Sequence, residues 1–328
     1  MAVQEHEAAG TAVAAGAGPY YRPRRIGHCN IYVGVLDPSM DFYTNVVGLR
    51  EAYRRPAINA GFLTNGNTHH DIGMVDVVGP RGRGYTPGLN HLAWELETQI
   101  DLVDGFRRAI ADGVEYDRTI DHEISHSVYN KDPDGNVNEV YADTRMRWYK
   151  DRFGEVRRSN PPWYPGDVEP DGNVNYEIDP EIVRVEGAVF HPVKITGACM
   201  VLDDYEAGYA YYTGQIGLSP VVGGADAPYA VLGGTCGLRD LSLFRGRAGR
   251  GPGLHHMNFM CAGEEDLERS IARAKRDGVD IVAEIDHPAR RALVVASPDR
   301  LKINFYVDRG DGLPDLEGLE EERAIYLV

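Results

Sequence analysis

This chain contains two copies of one sequence pattern, and that duplication restricts the folds it can adopt. The matched positions are turns, glycines and apolar residues. They pair Tyr43-Thr44 with Tyr212-Thr213 and Gly48 with Gly217 at an offset of 169 (212 − 43 = 169), and Gly88-Leu89 with Gly253-Leu254, His91 with His256 and Pro133-Asp134 with Pro298-Asp299 at an offset of 165 (256 − 91 = 165). Such self-similarity at nearly constant spacing indicates a duplicated structural unit. We therefore expect two homologous domains in the 328 residues.

Within each copy the periodicity predicts one order of elements. Ile26 to Val35 alternates between apolar and polar residues, as a strand with one packed face does. A helix is predicted after Asp37 as its N-cap and Pro38 at its first position, and a second, amphipathic helix is predicted over Thr98 to Ala111. Strand-forming runs fill the intervals. The order β-α-β-β-β occurs twice per copy, which predicts an α+β fold of four βαβββ modules arranged as two homologous domains.

Composition divides the chain into five parts. We expect a disordered, Ala/Gly-rich lead-in over 1–24, a metal-binding catalytic domain over 25–145 and a second domain without metal over 193–308. Residues 146–192 show neither periodicity and hold several prolines and aromatics, which indicates an interdomain connection that covers a site or makes a subunit contact. Residues 309–328 form an acidic C-terminal tail.

The second copy tests which polar residues the fold itself requires. It keeps the turns, the glycines and the apolar faces, but it loses most of the polar residues on the strands. At the two offsets His28 becomes Gly197, His70 becomes Arg239, Tyr129 becomes Val294 and Glu139 becomes Asn304, whereas His91 keeps a counterpart in His256. We infer that the first domain carries the chemistry and that the second is structural or shapes the substrate pocket.

His28, His91 and Glu139 lie on three strands of the first domain, where we expect their side chains to extend into one concave sheet. Two imidazoles and one carboxylate make the facial-triad donor set, which suits Fe(II) and leaves coordination positions open. Mn(II) fits the same ligands. The plainer interpretation is three unrelated strand residues, and the loss of two of them from the repeat argues against it.

These features resemble the vicinal oxygen chelate superfamily. Paired βαβββ modules with a histidine in the first strand, Gly-Leu-Asn-His opening the next module and Asp-Pro-Asp-Gly-Asn-x-x-Glu closing the domain are matched here at residues 28, 88–91 and 132–139. Over both domains the chain is similar to type I extradiol ring-cleaving dioxygenases of the catechol 2,3-dioxygenase kind. Many two-domain members keep the metal in the C-terminal domain, so the N-terminal set here resembles that of the short bacterial catechol 2,3-dioxygenases.

The resemblance implies catalytic roles for three further residues. His70 matches the family's acid–base histidine, Tyr129 its substrate-facing tyrosine, and His122 resembles its histidine near the oxygen site. Each has a plainer interpretation. His70 could pair with Asp71 in a hairpin, Tyr129 could simply pack in a strand, and His122 could serve the fold, because the repeat retains His287 (287 − 122 = 165).

The activity that the resemblance implies is extradiol cleavage of a catechol-type aromatic diol with O₂ at Fe(II), giving a ring-opened semialdehyde. Two alternatives remain on the same fold. A metal-dependent isomerase or lyase of the glyoxalase kind would keep the triad without needing His70 and Tyr129. A non-catalytic small-molecule-binding protein would need no metal, and a triad kept in one domain only argues against it.

Charge and cysteine usage exclude other partners. The formal net charge of −16 argues against nucleic acid and against an anionic membrane, because both would repel the chain. No apolar run approaches the roughly 20 residues of a membrane helix. Four scattered cysteines without a CxxC pair indicate free thiols in a reducing cytoplasm. We expect a cytoplasmic homo-oligomer that acts on a small aromatic diol and O₂.

Overall fold

The computed structural model contains two mixed β-sheets, one from each half of the chain, with few helices packed on them. Ile26 and Trp94 of the first half share one hydrophobic core with Tyr212 and Phe259 of the second. This arrangement confirms the predicted α+β, two-domain fold. The structure describes residues 18–146, 153–157, 159–237, 239–246, 251–310, 316 and 321–328.

The first half forms a nine-stranded sheet. Its strands are β1 (Arg25–Val33), β2 (Arg50–Arg55), β3 (Ala60–Thr64), β4 (Ile72–Asp76), β5 (Gly88–Glu95), β6 (Arg118–Asp121), β7 (Ser125–Lys131), β8 (Val137–Asp143) and β9 (Gly154–Glu155). The spatial order is β6-β7-β8-β5-β1-β4-β3-β2-β9. Strands β1 and β5 open the two modules and pair with each other antiparallel, and each pairs in parallel with the last strand of its own module. Helices α1 (Leu36–Phe42) and α2 (Gln99–Ala111) follow β1 and β5.

The second half repeats this plan with eight strands. They are β10 (Pro192–Leu202), β11 (Ser219–Gly223), β12 (Tyr229–Gly233), β13 (Leu241–Arg245), β14 (Gly253–Cys261), β15 (Ile281–His287), β16 (Arg290–Ala296) and β17 (Lys302–Asp308), in the order β11-β12-β13-β10-β14-β17-β16-β15. Helices α3 (Tyr205–Ala210) and α4 (Glu264–Arg276) follow β10 and β14. Each half therefore contains two βαβββ modules. No helix among the described residues is long and apolar enough to cross a membrane.

The helix starts agree with the sequence in one case and differ in the other. Helix α2 begins after Thr98, whose side chain forms a reciprocal capping box with Asp101. The prediction for α1 is wrong, because its N-cap is Val35 and Asp37 lies inside the first turn. The carboxylate of Asp76 accepts a hydrogen bond (3.0 Å) from the first backbone N–H of α1. The cap thus comes from the end of β4, which sequence spacing alone does not place beside α1.

Conserved turns of the repeat make reciprocal contacts between the domains. Asp134 accepts hydrogen bonds from the backbone N–H groups of Asp203 (2.7 Å) and Asp204 (3.1 Å), just before α3. Its counterpart Asp299 accepts one from the N–H of Gly34 (3.0 Å), just before α1. The Pro-Asp turns kept in both copies therefore fasten each domain to the strand–helix turn of the other.

A second pair of aspartates acts in the same way on the first strands. Asp240 accepts a hydrogen bond from the backbone N–H of Ile26 (2.7 Å), and Asp71 accepts one from that of Ile195 (3.4 Å). Asp71 is the residue that the plainer interpretation paired with His70. Its oxygens instead accept from backbone N–H groups, including that of Asn65 (3.0 Å).

Ordered structure begins before residue 25, so the predicted lead-in over 1–24 is too long. Tyr20 and Tyr21 are buried. A Cβ on Gly217 would lie 1.9 Å from the backbone oxygen of Tyr21, and a Cβ on Gly48 would lie 2.1 Å from that of Phe190. Because Tyr21 and Phe190 are equivalent positions (190 − 21 = 169), the repeat extends upstream of the predicted boundary. Residues 1–17 of the lead-in lie outside the described residues.

The C-terminal segment ends in buried residues on the second sheet. Helix α5 (Glu321–Ala324) leads into Ile325, Tyr326, Leu327 and Val328, all of which are buried. They pack with Val294 and neighbouring residues in a second core cluster. The prediction of an acidic tail over 309–328 therefore missed an apolar anchor, because four residues are too few to show a period. Residues 311–315 and 317–320 lie outside the described residues.

Residues 154–155 and 160–163 of the connection over 146–192 pack against the first sheet. Strand β9 adds to the sheet edge beside β2. The indole of Trp163 stacks on His126, with ring centroids 4.2 Å apart and planes 13° from parallel. Asn160 contacts the side chain of His122. The connection thus lies beside the strands that carry the polar residues of the first domain.

Candidate metal centre

Five neighbouring strands place one residue each in a transverse row across the first sheet, which we name the first-sheet row. The row consists of His28 (β1), Ala93 (β5), Glu139 (β8), Tyr129 (β7) and Arg118 (β6). His91 lies two residues before Ala93 on β5, so its side chain points to the same face of the sheet. The strand register therefore brings together three residues that the sequence separates by up to 111 positions (139 − 28 = 111).

The three predicted metal ligands meet at one point, where both histidines approach the same carboxylate oxygen of Glu139. Glu139 Oε2 lies 2.9 Å from His91 Nε2 and 3.1 Å from His28 Nε2. One donor atom from each of the three residues lies within 4.8 Å of the others. All three side chains are buried. These residues form a possible His/Glu metal site, which is the geometry that a facial triad needs.

The electrostatics of the cluster favour the protonation states of metal ligands. Burial alone would raise the pKa of Glu139, but hydrogen bonds and charge interactions with His28 and His91 hold that pKa well below its usual range. Burial lowers the pKa of His91, against the opposing effect of Glu139. An ionised carboxylate and a neutral imidazole are what a cation requires of its ligands. The donor set thus fits one divalent cation.

A second donor group shares one residue with the first. Nitrogens of His28, His69 and His70 also lie within 4.8 Å of one another. The Nδ1 atoms of His69 and His70 are 2.7 Å apart, so each ring uses its Nδ1 in a hydrogen bond with the other. This group has no carboxylate to offset a cation's charge, so the set that contains Glu139 is the better metal site.

His70 lies against the triad rather than against Asp71. Its ring centroid is 4.0 Å from that of His28, and its Nε2 is 3.2 Å from Asn30 Oδ1. Burial and the neighbouring imidazoles of His28 and His69 hold the pKa of His70 well below its usual range. The ring is therefore neutral near pH 7 and can accept a proton. The hairpin pairing with Asp71 is wrong.

Tyr129 is opposite Glu139 in the register and is buried at the same face. Its hydroxyl oxygen is 2.8 Å from His122 Nε2, and its ring centroid is 5.6 Å from that of His91. Burial and the charge of Glu139 raise the pKa of Tyr129 well above its usual value. The phenol therefore stays protonated and can act as a hydrogen-bond donor.

His122 is held by the turn between β6 and β7 and by the connection. The next residue, Glu123, has a φ of 71°, in the left-handed region. Asn160 Nδ2 lies 2.6 Å from His122 Nδ1, and His122 Nε2 lies 3.7 Å from Glu139 Oε1. The repeat has Pro288 where Glu123 stands, and proline cannot adopt that φ. The two backbones therefore differ here: His122 lies in a turn, whereas His287 is the last residue of β15 and accepts a hydrogen bond from the backbone N–H of Ala289.

One cavity of about 280 Å³ contains all six predicted site residues. Aromatic side chains and three arginines complete its wall. The lining includes His28, His70, His91, His122, Tyr129, Glu139, Asn30, His69, Asn160, Tyr32, Tyr53, Phe62, Tyr85, Arg55, Arg81 and Arg118. The predicted residues thus share one space, and each is positioned by a strand or a turn of the first domain.

Sequence reasoning missed several residues of this cavity. Asn30 follows His28 by two positions, so strand alternation could have placed it on the same face. Arg118 becomes Ala283 in the repeat (283 − 118 = 165), so the comparison of the two copies would have singled it out. Asn160 has no such signal, because it lies in the connection, where no periodicity exists.

The equivalent face of the second sheet is filled by the end of the chain. The ring of Tyr326 lies 5.1 Å from that of His256, and its backbone oxygen accepts a hydrogen bond (3.0 Å) from Asn304 Nδ2. Cys199, His255 and His256 offer donor atoms there within 4.8 Å. The ammonium of Lys302 lies 3.1 Å from His255 Nε2, and a cation there would be repelled.

The chain is similar to a known protein family and to individual relatives over most of its two sheets. The sequence matches the family model described as the Glyoxalase/Bleomycin resistance protein/Dioxygenase superfamily over residues 25–140 and 194–305. Catechol-2,3-dioxygenase of Bacillus subtilis (strain 168) is 27% identical over 269 residues, which cover 78% of this chain and 89% of that protein. Biphenyl-2,3-diol 1,2-dioxygenase 3 of Rhodococcus globerulus is 31% identical over 125 residues, 36% of this chain and 63% of that protein. The chain thus spans less than two thirds of the second relative's length.

Solved structures share the fold at low sequence identity. The 2,3-dioxygenase LapB from Pseudomonas sp. KL28 superposes with a TM-score of 0.65 at 17% identity, covering 90% of this chain and 95% of that one. The Mn(II)-bound glyoxalase from Novosphingobium aromaticivorans superposes with a TM-score of 0.62 at 17% identity, covering 87% of this chain and 82% of that one. At such identity the likeness concerns the fold alone. With both sheets matched by the family model, the chain belongs to the Glyoxalase/Bleomycin resistance protein/Dioxygenase superfamily.

Proposed function

We propose that this protein is an extradiol dioxygenase that opens the ring of a catechol-type diol beside its hydroxyl groups, using O₂ and an Fe(II) ion held by His28, His91 and Glu139. The observation that carries the proposal is the convergence of both histidines on Glu139 Oε2 in the cavity that also holds His70 and Tyr129. Relatives named as catechol and biphenyl-diol dioxygenases support the reaction class.

The ligand set determines which chemistry the metal would supply. Fe(II) at two imidazoles and one carboxylate supplies Lewis acidity toward the diol and redox chemistry toward O₂. Both oxygen atoms of O₂ enter the product and the diol supplies all the electrons, so the reaction needs no external reductant. The ring-opened product carries an aldehyde and a carboxylate.

His70 is the proposed proton carrier. The neutral ring accepts the proton of one diol hydroxyl and later returns it to an oxygen atom derived from O₂ as the O–O bond breaks. Asn30 Oδ1 lies 3.2 Å from His70 Nε2 and orients the imidazole. The low pKa of His70 keeps the base in its proton-accepting form at neutral pH.

Tyr129 and His122 are proposed to act as a hydrogen-bonded pair. Asn160 Nδ2 donates to His122 Nδ1, so the neutral imidazole carries its proton on Nε2, facing the Tyr129 oxygen. Tyr129 thus accepts from His122, and its own O–H is the group that would donate to the substrate. His122 is in this scheme a positioning residue whose orientation depends on the connection.

The test is reconstitution with Fe(II) under anaerobic conditions, followed by addition of catechol and then of O₂. The expected result is the yellow ring-fission product with one O₂ consumed per diol. Mn(II) reconstitution in parallel decides between the two metals. Metal binding at these ligands without O₂ uptake on any substituted catechol would favour a glyoxalase-like isomerase or lyase, and failure to bind either metal would favour a non-catalytic binding protein.

A further inference from the structure

Cationic side chains line the cavity, although the protein as a whole is acidic. Three arginines line it, namely Arg55, Arg81 and Arg118, and Glu139 is the only carboxylate among its described lining residues. The chain as a whole carries a formal net charge of −16. The three guanidinium charges exceed the single carboxylate charge of Glu139. A cleft of one sign in a protein of the opposite sign concentrates ligands of complementary charge.

Arg118 ends the first-sheet row on the accessible side of the cavity. It is opposite Tyr129 in the register, and Tyr129 is opposite Glu139. Neighbouring strands lie about 4.8 Å apart, so the Arg118 and Glu139 backbones lie about 10 Å apart. The guanidinium carbon of Arg118 lies 4.1 Å from the Tyr129 ring centroid. The distance from the positive charge of Arg118 to the metal ligands is therefore about the length of one aromatic ring with a short substituent.

Arg118 and Arg81 converge on the same side of the cavity from different segments. Arg81 belongs to the loop between β4 and β5, and Arg118 belongs to β6. Burial raises the pKa of Tyr32 to about 12, and the charges of Arg118 and Arg81 oppose that rise, so both guanidinium groups lie near this phenol. Tyr32 stacks on Tyr85 with ring centroids 4.3 Å apart. Neither arginine forms an ion pair with a residue in the part of the chain that the structure describes. Both side chains are exposed, so a ligand can reach them.

The size of the cavity limits the ligand to a small molecule. Its volume of about 280 Å³ is at or below the lower end of the ~300–1,000 Å³ typical of ligand pockets. Such a space suits one substituted ring better than two fused or linked rings. The wall opposite Arg118, formed by strands β2 and β3, is aromatic, with Tyr53 stacked on Phe62 at 4.4 Å between ring centroids.

We propose that the substrate is a single-ring catechol that carries a carboxylate, and that Arg118, assisted by Arg81, binds this carboxylate while the diol faces His28, His91 and Glu139. The proposal rests on the dioxygenase function proposed above. Arg118 determines specificity in it, because guanidinium and carboxylate match as a bidentate, charge-assisted pair. The second domain supports this assignment, because it has Ala283 at the position of Arg118 and has also replaced Tyr129 and Glu139.

The test compares each carboxylated catechol with its neutral amide. The probes are 3,4-dihydroxybenzoate, 2,3-dihydroxybenzoate and 3,4-dihydroxyphenylacetate beside the corresponding primary amides, measured as kcat/KM for O₂ uptake by the iron-loaded enzyme. We expect at least one acid to exceed its amide by about tenfold to a hundredfold, with a preference that falls as salt is added. In R118Q the preference should largely disappear, and in R118K part of it should remain.

The preference ratio separates this role from an effect on Tyr129, because loss of Tyr129 positioning slows the acid and the amide alike. Arg83, exposed on the same loop as Arg81 but not lining the cavity, provides the matched control, and R83Q should keep the full preference. Equal kcat/KM for every acid and its amide in the wild type, or an equal loss of both in R118Q, would overturn the proposal.

Equilibrium binding keeps the proposal distinct from the proposed reaction. Calorimetry of the same acid and amide pairs on the anaerobic iron-loaded protein needs no turnover. Tighter binding of an acid that depends on Arg118, without O₂ uptake on any probe, would retain the anion site and reject the dioxygenase. O₂ uptake with no preference for the acids would retain the dioxygenase and reject the anion site.

Discussion

The first-sheet row and its counterpart in the second sheet have the same strand pairing and different side chains. The counterpart consists of Gly197 (β10), Asn258 (β14), Asn304 (β17), Val294 (β16) and Ala283 (β15), opposite one another as in the first row. Where the first row has imidazole, carboxylate, phenol and guanidinium, the second has no ionisable group. Backbone hydrogen bonds set the register in both, so the chemistry depends on side chains that the fold does not need.

The two faces also differ in what covers them. The first sheet leaves a cavity with polar walls, whereas the second receives Tyr326 and the three residues around it. The second row carries no ionisable side chain, and the apolar residues of the chain end pack on that face and bury it. By contrast, the interdomain aspartates are present in both copies, because both domains need them.

The largest expected difference between the rows concerns metal binding. E139Q removes the negative charge from the triad, and iron affinity should fall by more than about 100-fold, since loss of a group that only supports a ligand already costs about 10- to 100-fold. Elemental analysis of the reconstituted protein measures this. The control is H256Q in the second sheet, which should retain full iron content. Loss of iron in H256Q with retention of iron in E139Q would show that the metal binds in the second domain and not in the first.

The next effect concerns turnover at constant metal content. H70F should keep its iron and lose about 10²–10⁴-fold in kcat, because it removes the proposed proton carrier but none of the proposed metal ligands. A base works above its own pKa, and the pKa of His70 is lowered by burial and by neighbouring imidazoles. The acid limb of kcat/KM in the wild type should therefore lie below the ordinary histidine value of about 6.5 and should vanish in H70F. Unchanged turnover in H70F would remove His70 from its role.

A smaller effect distinguishes the covered face from the open one. Y326A removes a buried aromatic ring from the second sheet and should lower the free energy of unfolding by about 3 kcal/mol. Iron content should stay unchanged, because the triad lies in the other sheet. Chemical denaturation and metal analysis on the same preparation check both statements. A loss of iron without a loss of stability would mean that the chain end supports the metal site.

The smallest effects test where the two halves should be alike. D134A and D299A each remove hydrogen bonds from a carboxylate to the other domain, at a cost of about 1–2 kcal/mol in unfolding free energy. The two variants should be equally destabilised within about 0.5 kcal/mol. Denaturant titration measures the pair side by side. If only one variant were destabilised, the two interdomain contacts would be similar in geometry but would contribute unequally to the free energy of unfolding.

Much of the fold and of the candidate site was predictable because both depend on periodicity. Alternation put His28 and Glu139 on the polar faces of strands, and the loss of both from the repeat marked them as dispensable to the fold. The same comparison marks Arg118, whose counterpart is Ala283, although arginine is neither a metal ligand nor a proton acceptor of the kind that the family resemblance indicates. The boundary at residue 25 was misplaced although Pro23 and Pro192 keep the same offset (192 − 23 = 169).

Other parts required the folded structure. Nothing in the sequence places Asn160 on His122, because the connection has no period and its course depends on packing against β6. The carboxylate of Asp76 caps α1 only because β4 lies beside β1 in the sheet. The low pKa of His70 also follows from burial next to two other histidines, which no local pattern reveals.

The sequence by itself determined the duplicated α+β modules, the strand faces and the side chains capable of metal binding and proton transfer, because these follow from local periodicity and from residue chemistry. Only the tertiary structure decided that His28 and His91 meet at one oxygen of Glu139, that Arg118 extends the same row, and that the chain end covers the second sheet. Those facts depend on strand order and register, which are set by long-range hydrogen bonds and core packing rather than by neighbours in the sequence.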